Sequence, residues 1–181
     1  FDDSRPSVAK AYDREGLVML CSSFSKSLCP GYRVGWLVPG RFYETCEWLK
    51  YTSSLAAPTL SEYAIAEFIG GGGYHPYLRR TRTIYKRQVS AMSQAVGRFF
   101  PDETKLTRPA GGFLLWVELP KTVDSLVLHK QALEAGIAIT PGHLFSATNQ
   151  YPNFVRLNAA NWSEEAEWAI ERLGWLIERM A

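Results

Sequence analysis

Cysteine is scarce in this chain: three in 181 residues. Cys21, Cys29 and Cys46 are odd in number and form no Cys-x-x-Cys pair. That excludes a disulfide framework and a thiolate metal centre, and reduced thiols in the cytoplasm are the expectation. Long apolar runs are missing as well. None approaches the ~18 residues of a membrane span, and the first residues lack the basic-then-apolar order of a signal peptide. Charge of one sign is not in excess either, with a net +2, too mild a field to imply nucleic acid as a partner of these residues. His75 has no partner at ligand spacing, so no metal site is expected. What is plentiful is apolar and aromatic content, 46% and 13%, which excludes disorder. A chain of this length makes one or two small domains and hides about 70% of its unfolded surface.

The densest chemistry lies between Ser22 and Trp36. Leu17 to Cys21 is an apolar run expected as a buried strand, and Arg33 to Val38 is a second run closed by Pro39-Gly40. The turn between them holds Ser23, Ser25, Lys26 and Arg33. A lysine delivered by a buried strand is unusual, because a lone ammonium is costly to desolvate. One reading is a surface loop with Lys26 simply solvated. The other combines two chemistries. Hydroxyls with a guanidinium suit a phosphate dianion, and a lysine amine can form a Schiff base with a carbonyl. Phosphate and aldehyde on one molecule point to pyridoxal 5′-phosphate.

The wording Ser-Phe-Ser-Lys followed by Pro-Gly-Tyr-Arg-Val-Gly-Trp resembles the Schiff-base segment of the fold-type I aminotransferases (class I/II). It is most similar to the C-terminal aminotransferase-like domain of MocR-type regulators of the GntR family, and it shares much with aromatic and 2-aminoadipate aminotransferases. The resemblance implies that Lys26 is the internal aldimine lysine and that Ser23, Ser25 and Arg33 hold the cofactor phosphate. It also implies an α/β fold, the C-terminal part of a longer polypeptide. Residues 1–76 would be the remaining part of the cofactor-binding large domain, 77–100 a long interdomain helix, and 101–181 the α+β small domain. Other cofactor contacts would then lie upstream. Asp2-Asp3 comes too late in the family pattern to be the pyridine partner and is expected to be solvated.

Further along, Phe42, Cys46, Leu49 and Ser53 share one face of a helix over 41–52. Residues 53–58 break it. The resemblance brings Ser54 and Pro58 near a subunit interface, against the plainer reading of a helix-breaking loop. Thr59 is expected to N-cap a helix over 60–69. The four glycines from Gly70 to Gly73 read as a helix stop rather than a phosphate cradle, since they follow a helix and lack a Gly-x-x-x-x-Gly-Lys pattern. One long helix is expected over 77–100, apolar along Tyr85, Val89, Met92 and Val96 and basic along Arg79, Arg80, Arg82, Lys86 and Arg87. That basic face is expected to be solvated. Two strands, 106–107 and 113–119, flank the Pro-Ala-Gly-Gly turn, the second apolar on both faces and so central. A helix over 123–135 and a strand over 137–139 follow.

Pro141-Gly142-His143-Leu144-Phe145 resembles the family loop that borders the active site. His143 there either reaches substrate or has a structural role. Arg156 lies in the apolar strand 154–158, where an arginine should be paired or functional. The resemblance makes it the bidentate grip on a substrate carboxylate; the alternative is a salt bridge to a nearby carboxylate. Ser163 caps a final helix over 164–180, its core stripe Ala166, Ile170, Leu173, Ile177 and Met180.

Three functions are compatible with these residues. The first is the effector domain of a GntR/MocR-type regulator that senses a small-molecule amino acid or amine as a homodimer. It would reach DNA only through an upstream winged-helix domain. The second is a working aminotransferase that passes an amino group from an amino acid to a 2-oxo acid. The third is an interaction fragment without cofactor.

Overall fold

The computed structural model describes Phe1 and residues 6–181; Asp2-Asp3 lies outside the described residues. The chain divides into two compact units, one over residues 6–80 and one over 81–181 with Phe1.

In the first unit an aspartate organises the entry. The Asp13 carboxylate accepts from Lys10 Nζ at 2.7 Å and from the N–H groups of Glu15, Leu17 and Val18 at 3.0–3.2 Å. Strand β1 (Leu20–Ser23) then pairs antiparallel with β2 (Gly35–Val38), Leu20 opposite Val38 and Ser23 opposite Gly35. A Cβ at Gly35 would stand 2.9 Å from the Ser22 carbonyl oxygen, so only glycine allows this approach. The expected buried strand is not found: Leu20 is half-buried and every other residue of the ribbon is exposed. A two-stranded ribbon needs a second layer to hide a face, and the described residues supply none.

Helix α1 (Tyr43–Ser54) runs two residues into the expected break, which is found from Leu55 to Pro58. Ser53 and Ser54 turn their hydroxyls back onto the Leu49 and Lys50 carbonyls, at 2.6 and 3.3 Å, which lets serine remain helical. Helix α2 spans Thr59–Gly70. Thr59 is its first helical residue rather than its cap: Pro58 holds the cap position and no side chain closes the end. The glycine run does stop α2. Gly71 and Gly73 donate to the Glu67 and Phe68 carbonyls at 2.8 and 3.1 Å, and Gly72 takes φ +77°, the left-handed step that suits glycine. Helix α3 (Tyr74–Phe99) begins three residues before the expected start. Pro76 is tolerated in its first turn, where an N–H has no intrahelical partner to find.

The second unit is a sheet with helices. Its strands are β3 (Lys105–Leu106), β4 (Leu114–Glu118), β5 (Thr140–Pro141) and β6 (Phe154–Asn158). They lie in the order β3-β4-β6-β5, all antiparallel. The central position expected for β4 is observed. Its faces differ, however: Leu115 and Val117 are buried while Trp116 and Glu118 are half-buried. With Val155 and Leu157 of β6 they form one core with α3 (Val89, Met92, Val96), α4 (Ser125–Glu134; Leu128, Ala132) and α5 (Glu164–Glu178; Ile170, Leu173, Ile177). Asp124 caps α4 through two N–H groups, and Ser163 caps α5 as expected. A Cβ at Gly174 would collide with the Phe99 carbonyl, so α3 and α5 touch backbone to backbone there. The strand expected over 137–139 begins only at Thr140. Ile137 still donates to the Ala132 carbonyl at 2.8 Å, finishing the helix end, and a ladder cannot start until that N–H is spent.

Candidate functional site

The Lys26 segment is the closed end of the β1–β2 hairpin. Phe24 N–H donates to Val34 O at 3.0 Å, and the Phe24 carbonyl accepts from Leu28 and Cys29 at 2.8 and 3.1 Å. That wraps a tight turn around Ser25-Lys26-Ser27. On the returning arm Arg33 takes the left-handed conformation, φ 55° and ψ 33°, uncommon for a long side chain. The structure thus brings Ser23, Ser25, Lys26 and Arg33 to one hairpin end. Ser25 is half-buried and the other three are exposed. With described residues, none of the four side chains makes a hydrogen bond or ion pair. An exposed Lys26 avoids the cost of burying an ammonium, and its amine is accessible. Two free hydroxyls, a free guanidinium and a free primary amine on one turn fit an aldehyde-bearing phosphate ester as a donor set.

Two tyrosines of α3 hold this turn, and the sequence reading missed both. Tyr74 donates its hydroxyl to Ser27 Oγ and Tyr77 donates to the Leu28 carbonyl, each at 3.2 Å. The Tyr74 ring also meets Phe24 edge-on at 5.9 Å. Their three-residue spacing on one helix face was the available signal. His75, between them, is exposed. Ser54 and Pro58 are exposed at the end of α1 and the entry to α2.

Arg156 belongs to the second unit. It stands opposite Trp116 on β4 and Thr140 on β5, on the sheet face turned away from the core. The salt-bridge alternative is not found: no described carboxylate pairs with Arg156. Its guanidinium instead lies 4.9 Å from the centre of the Phe145 ring, a cation–π contact that leaves the in-plane N–H groups available. Trp116 packs beside it, edge-on to Phe145 at 5.2 Å and stacked on Phe154 at 5.4 Å. His143 is held by its neighbours, Nδ1 3.2 Å from Ser125 Oγ and Nε2 3.7 Å from Asp124 Oδ2. The described residues contain no group of three metal-ligating side chains and no helix long and apolar enough to cross a membrane.

Residues 2–173 match the model of the family "Aminotransferase class I and II". The chain belongs to this family. It is 40% identical over 176 residues to the uncharacterized HTH-type transcriptional regulator YjiR of Escherichia coli K12, covering 97% of this chain and 37% of that protein. A second E. coli K12 relative, the uncharacterized HTH-type transcriptional regulator YdcR, is 36% identical over 98% of this chain and 38% of its own length. Among solved structures, the kynurenine aminotransferase of Pyrococcus horikoshii superposes with a TM-score of 0.86 at 32% identity, covering 94% of this chain and 43% of that one. The chain therefore spans about two fifths of the length of the relatives it matches, and its fold is a partial aminotransferase domain.

Proposed function

We propose that the chain is the pyridoxal-phosphate-binding effector part of a GntR/MocR-type transcriptional regulator. The observation that carries this reading is the 40% identity to an HTH-type regulator along 97% of the chain. Ser23, Ser25 and Arg33 take the cofactor phosphate, the guanidinium binding two oxygens at once. Lys26 supplies the amine that ties the cofactor to the protein. Bound there, pyridoxal phosphate supplies an electron-withdrawing ring and an aldehyde that reacts with amines. Arg156 takes the carboxylate of an amino acid effector. Residues 1–76 are the end of the large domain, 77–100 the connecting helix and 101–181 the small domain. A homodimer in the cytoplasm, contacting DNA through a winged-helix domain upstream, completes the proposal.

The test is a gel shift with the full-length protein and the DNA upstream of its gene. Pyridoxal phosphate with an amino acid changes the shift in wild type and not in Lys26→Ala. A shift that ignores the cofactor in both would overturn the reading.

The likeness to the kynurenine aminotransferase structure supports a second reading, a working aminotransferase. The same residues serve it, with Lys26 also carrying a proton to and from the substrate carbon. Turnover of an amino acid with 2-oxoglutarate by the full-length protein, lost in Lys26→Ala, selects it.

A further inference from the structure

The turn that carries Phe145 is clamped to the start of α4. Ser125 is fully buried, and its backbone N–H donates to the Pro152 carbonyl at 2.7 Å. Its hydroxyl oxygen accepts the Gly142 N–H at 3.3 Å and shares a second hydrogen bond with His143 Nδ1, 3.2 Å away. On its other side the imidazole faces Asp124, with Nε2 3.7 Å from Oδ2. Asp124 is fixed in turn, because its other oxygen accepts the Leu126 and Val127 N–H groups at 2.8 and 3.1 Å. Gly142 cannot accept a side chain, since a Cβ would lie 2.9 Å from Phe154 Cβ. Ser125 and Asp124 therefore hold the turn Gly142–Phe145 at its beginning.

The turn's last residue is what Arg156 rests on. The Phe145 ring lies under the guanidinium at 4.9 Å and is braced edge-on by Trp116 at 5.2 Å. No described carboxylate fixes Arg156, so ring and sheet are what orient it. We propose that Ser125 and His143 are positioning residues: they lock the turn so that Phe145 presents its face to Arg156 and holds the guanidinium ready for a carboxylate. The proposal rests on the reading of Arg156 as the carboxylate grip.

Its test uses the full-length protein loaded with pyridoxal phosphate. The concentration dependence of the cofactor's visible spectral change is measured for an amino acid and for the matching amine that lacks the carboxylate. The quantity read is the ratio of the two affinities. His143→Ala and Phe145→Leu are expected to weaken amino acid binding about tenfold, the size of a misaligned charged hydrogen bond, with amine binding unchanged. His143→Asn keeps a carboxamide within reach of Ser125 Oγ and is expected to recover most of the loss. Arg156→Ala should remove the preference for the amino acid. If Arg156→Ala removes that preference while His143→Ala and Phe145→Leu keep it, the positioning role is overturned and the reading of Arg156 stands. If His143→Ala weakens amino acid and amine alike, its role is structural and the proposal fails. If Arg156→Ala keeps the preference, the reading of Arg156 falls and the proposal with it.

Discussion

At the scale of residues, the Asp13 turn and the core of the second unit make the clearest demands. The Lys10 ammonium, with three N–H donors beside it, holds the Asp13 carboxyl well below the usual carboxylate range. A depressed pKa stabilises the fold above the unfolded value of about 3.9, and the contribution disappears as pH falls through the folded value. Amide exchange at Leu17 and Val18 should therefore stay slow at neutral and mildly acidic pH and quicken only in strong acid. Asp13→Asn should exchange faster at neutral pH and lose most of that acid dependence. In the core, Leu115 is wholly buried, and Leu115→Ala should cost about 2–5 kcal/mol in denaturant unfolding. Residue chemistry was also the most legible part of the sequence. The Ser, Lys and Arg wording around Lys26 and the lone arginine of β6 both stood out by type and spacing. His143 was left between two roles, because its partners Ser125 and Asp124 are brought to it only by the fold.

At the scale of elements, the hairpin turn depends on a helix that follows it by some fifty residues. The Tyr74 and Tyr77 hydroxyls hydrogen-bond it to α3, beside the Phe24–Tyr74 ring contact. Removing both by Tyr74→Phe with Tyr77→Phe should loosen the turn while keeping the rings, at a cost of about 1 kcal/mol per neutral hydrogen bond. Amide exchange at Leu28 and Cys29 is expected to rise, with α3 itself unaffected; unchanged exchange would remove the tether from the account. Periodicity placed the long helices, each with a patterned face, while β4 and β6 stood out as apolar runs. It failed where local bonds compete. Serines prolonged α1 by bonding to their own helix, and the end of α4 used up the Ile137 N–H, so the next ladder started late. Gly174 was silent in the sequence and became visible only as a close approach to Phe99. Gly174→Ala should separate α3 from α5 and lower the thermal midpoint.

At the scale of the whole molecule, the two units are unequal. The core of the second gathers twenty buried apolar residues, whereas among the described residues of the first only Val34 and Ile65 are buried and apolar. Trp36, Tyr43, Trp48, Leu60 and Tyr63 of the first unit stand exposed, more apolar surface than a lone soluble unit normally shows. Residues 81–181 produced alone should thus fold cooperatively, with one sharp thermal transition. In the intact chain, residues 6–80 should exchange their amides faster than residues 81–181. The sequence did not disclose this asymmetry: apolar content is spread along the whole chain, and exposure depends on which layers are present to cover it.

Every role proposed for the hairpin turn depends on Lys26 as the residue that ties pyridoxal phosphate to the protein. The most direct measurement is the visible absorbance spectrum of the full-length protein with added pyridoxal phosphate, unbound cofactor removed, beside Lys26→Ala. A protein-bound visible band in wild type that Lys26→Ala lacks is the predicted result. The same spectrum in both, or no band in either, would contradict the claim and leave Lys26 a solvated lysine at the tip of a hairpin.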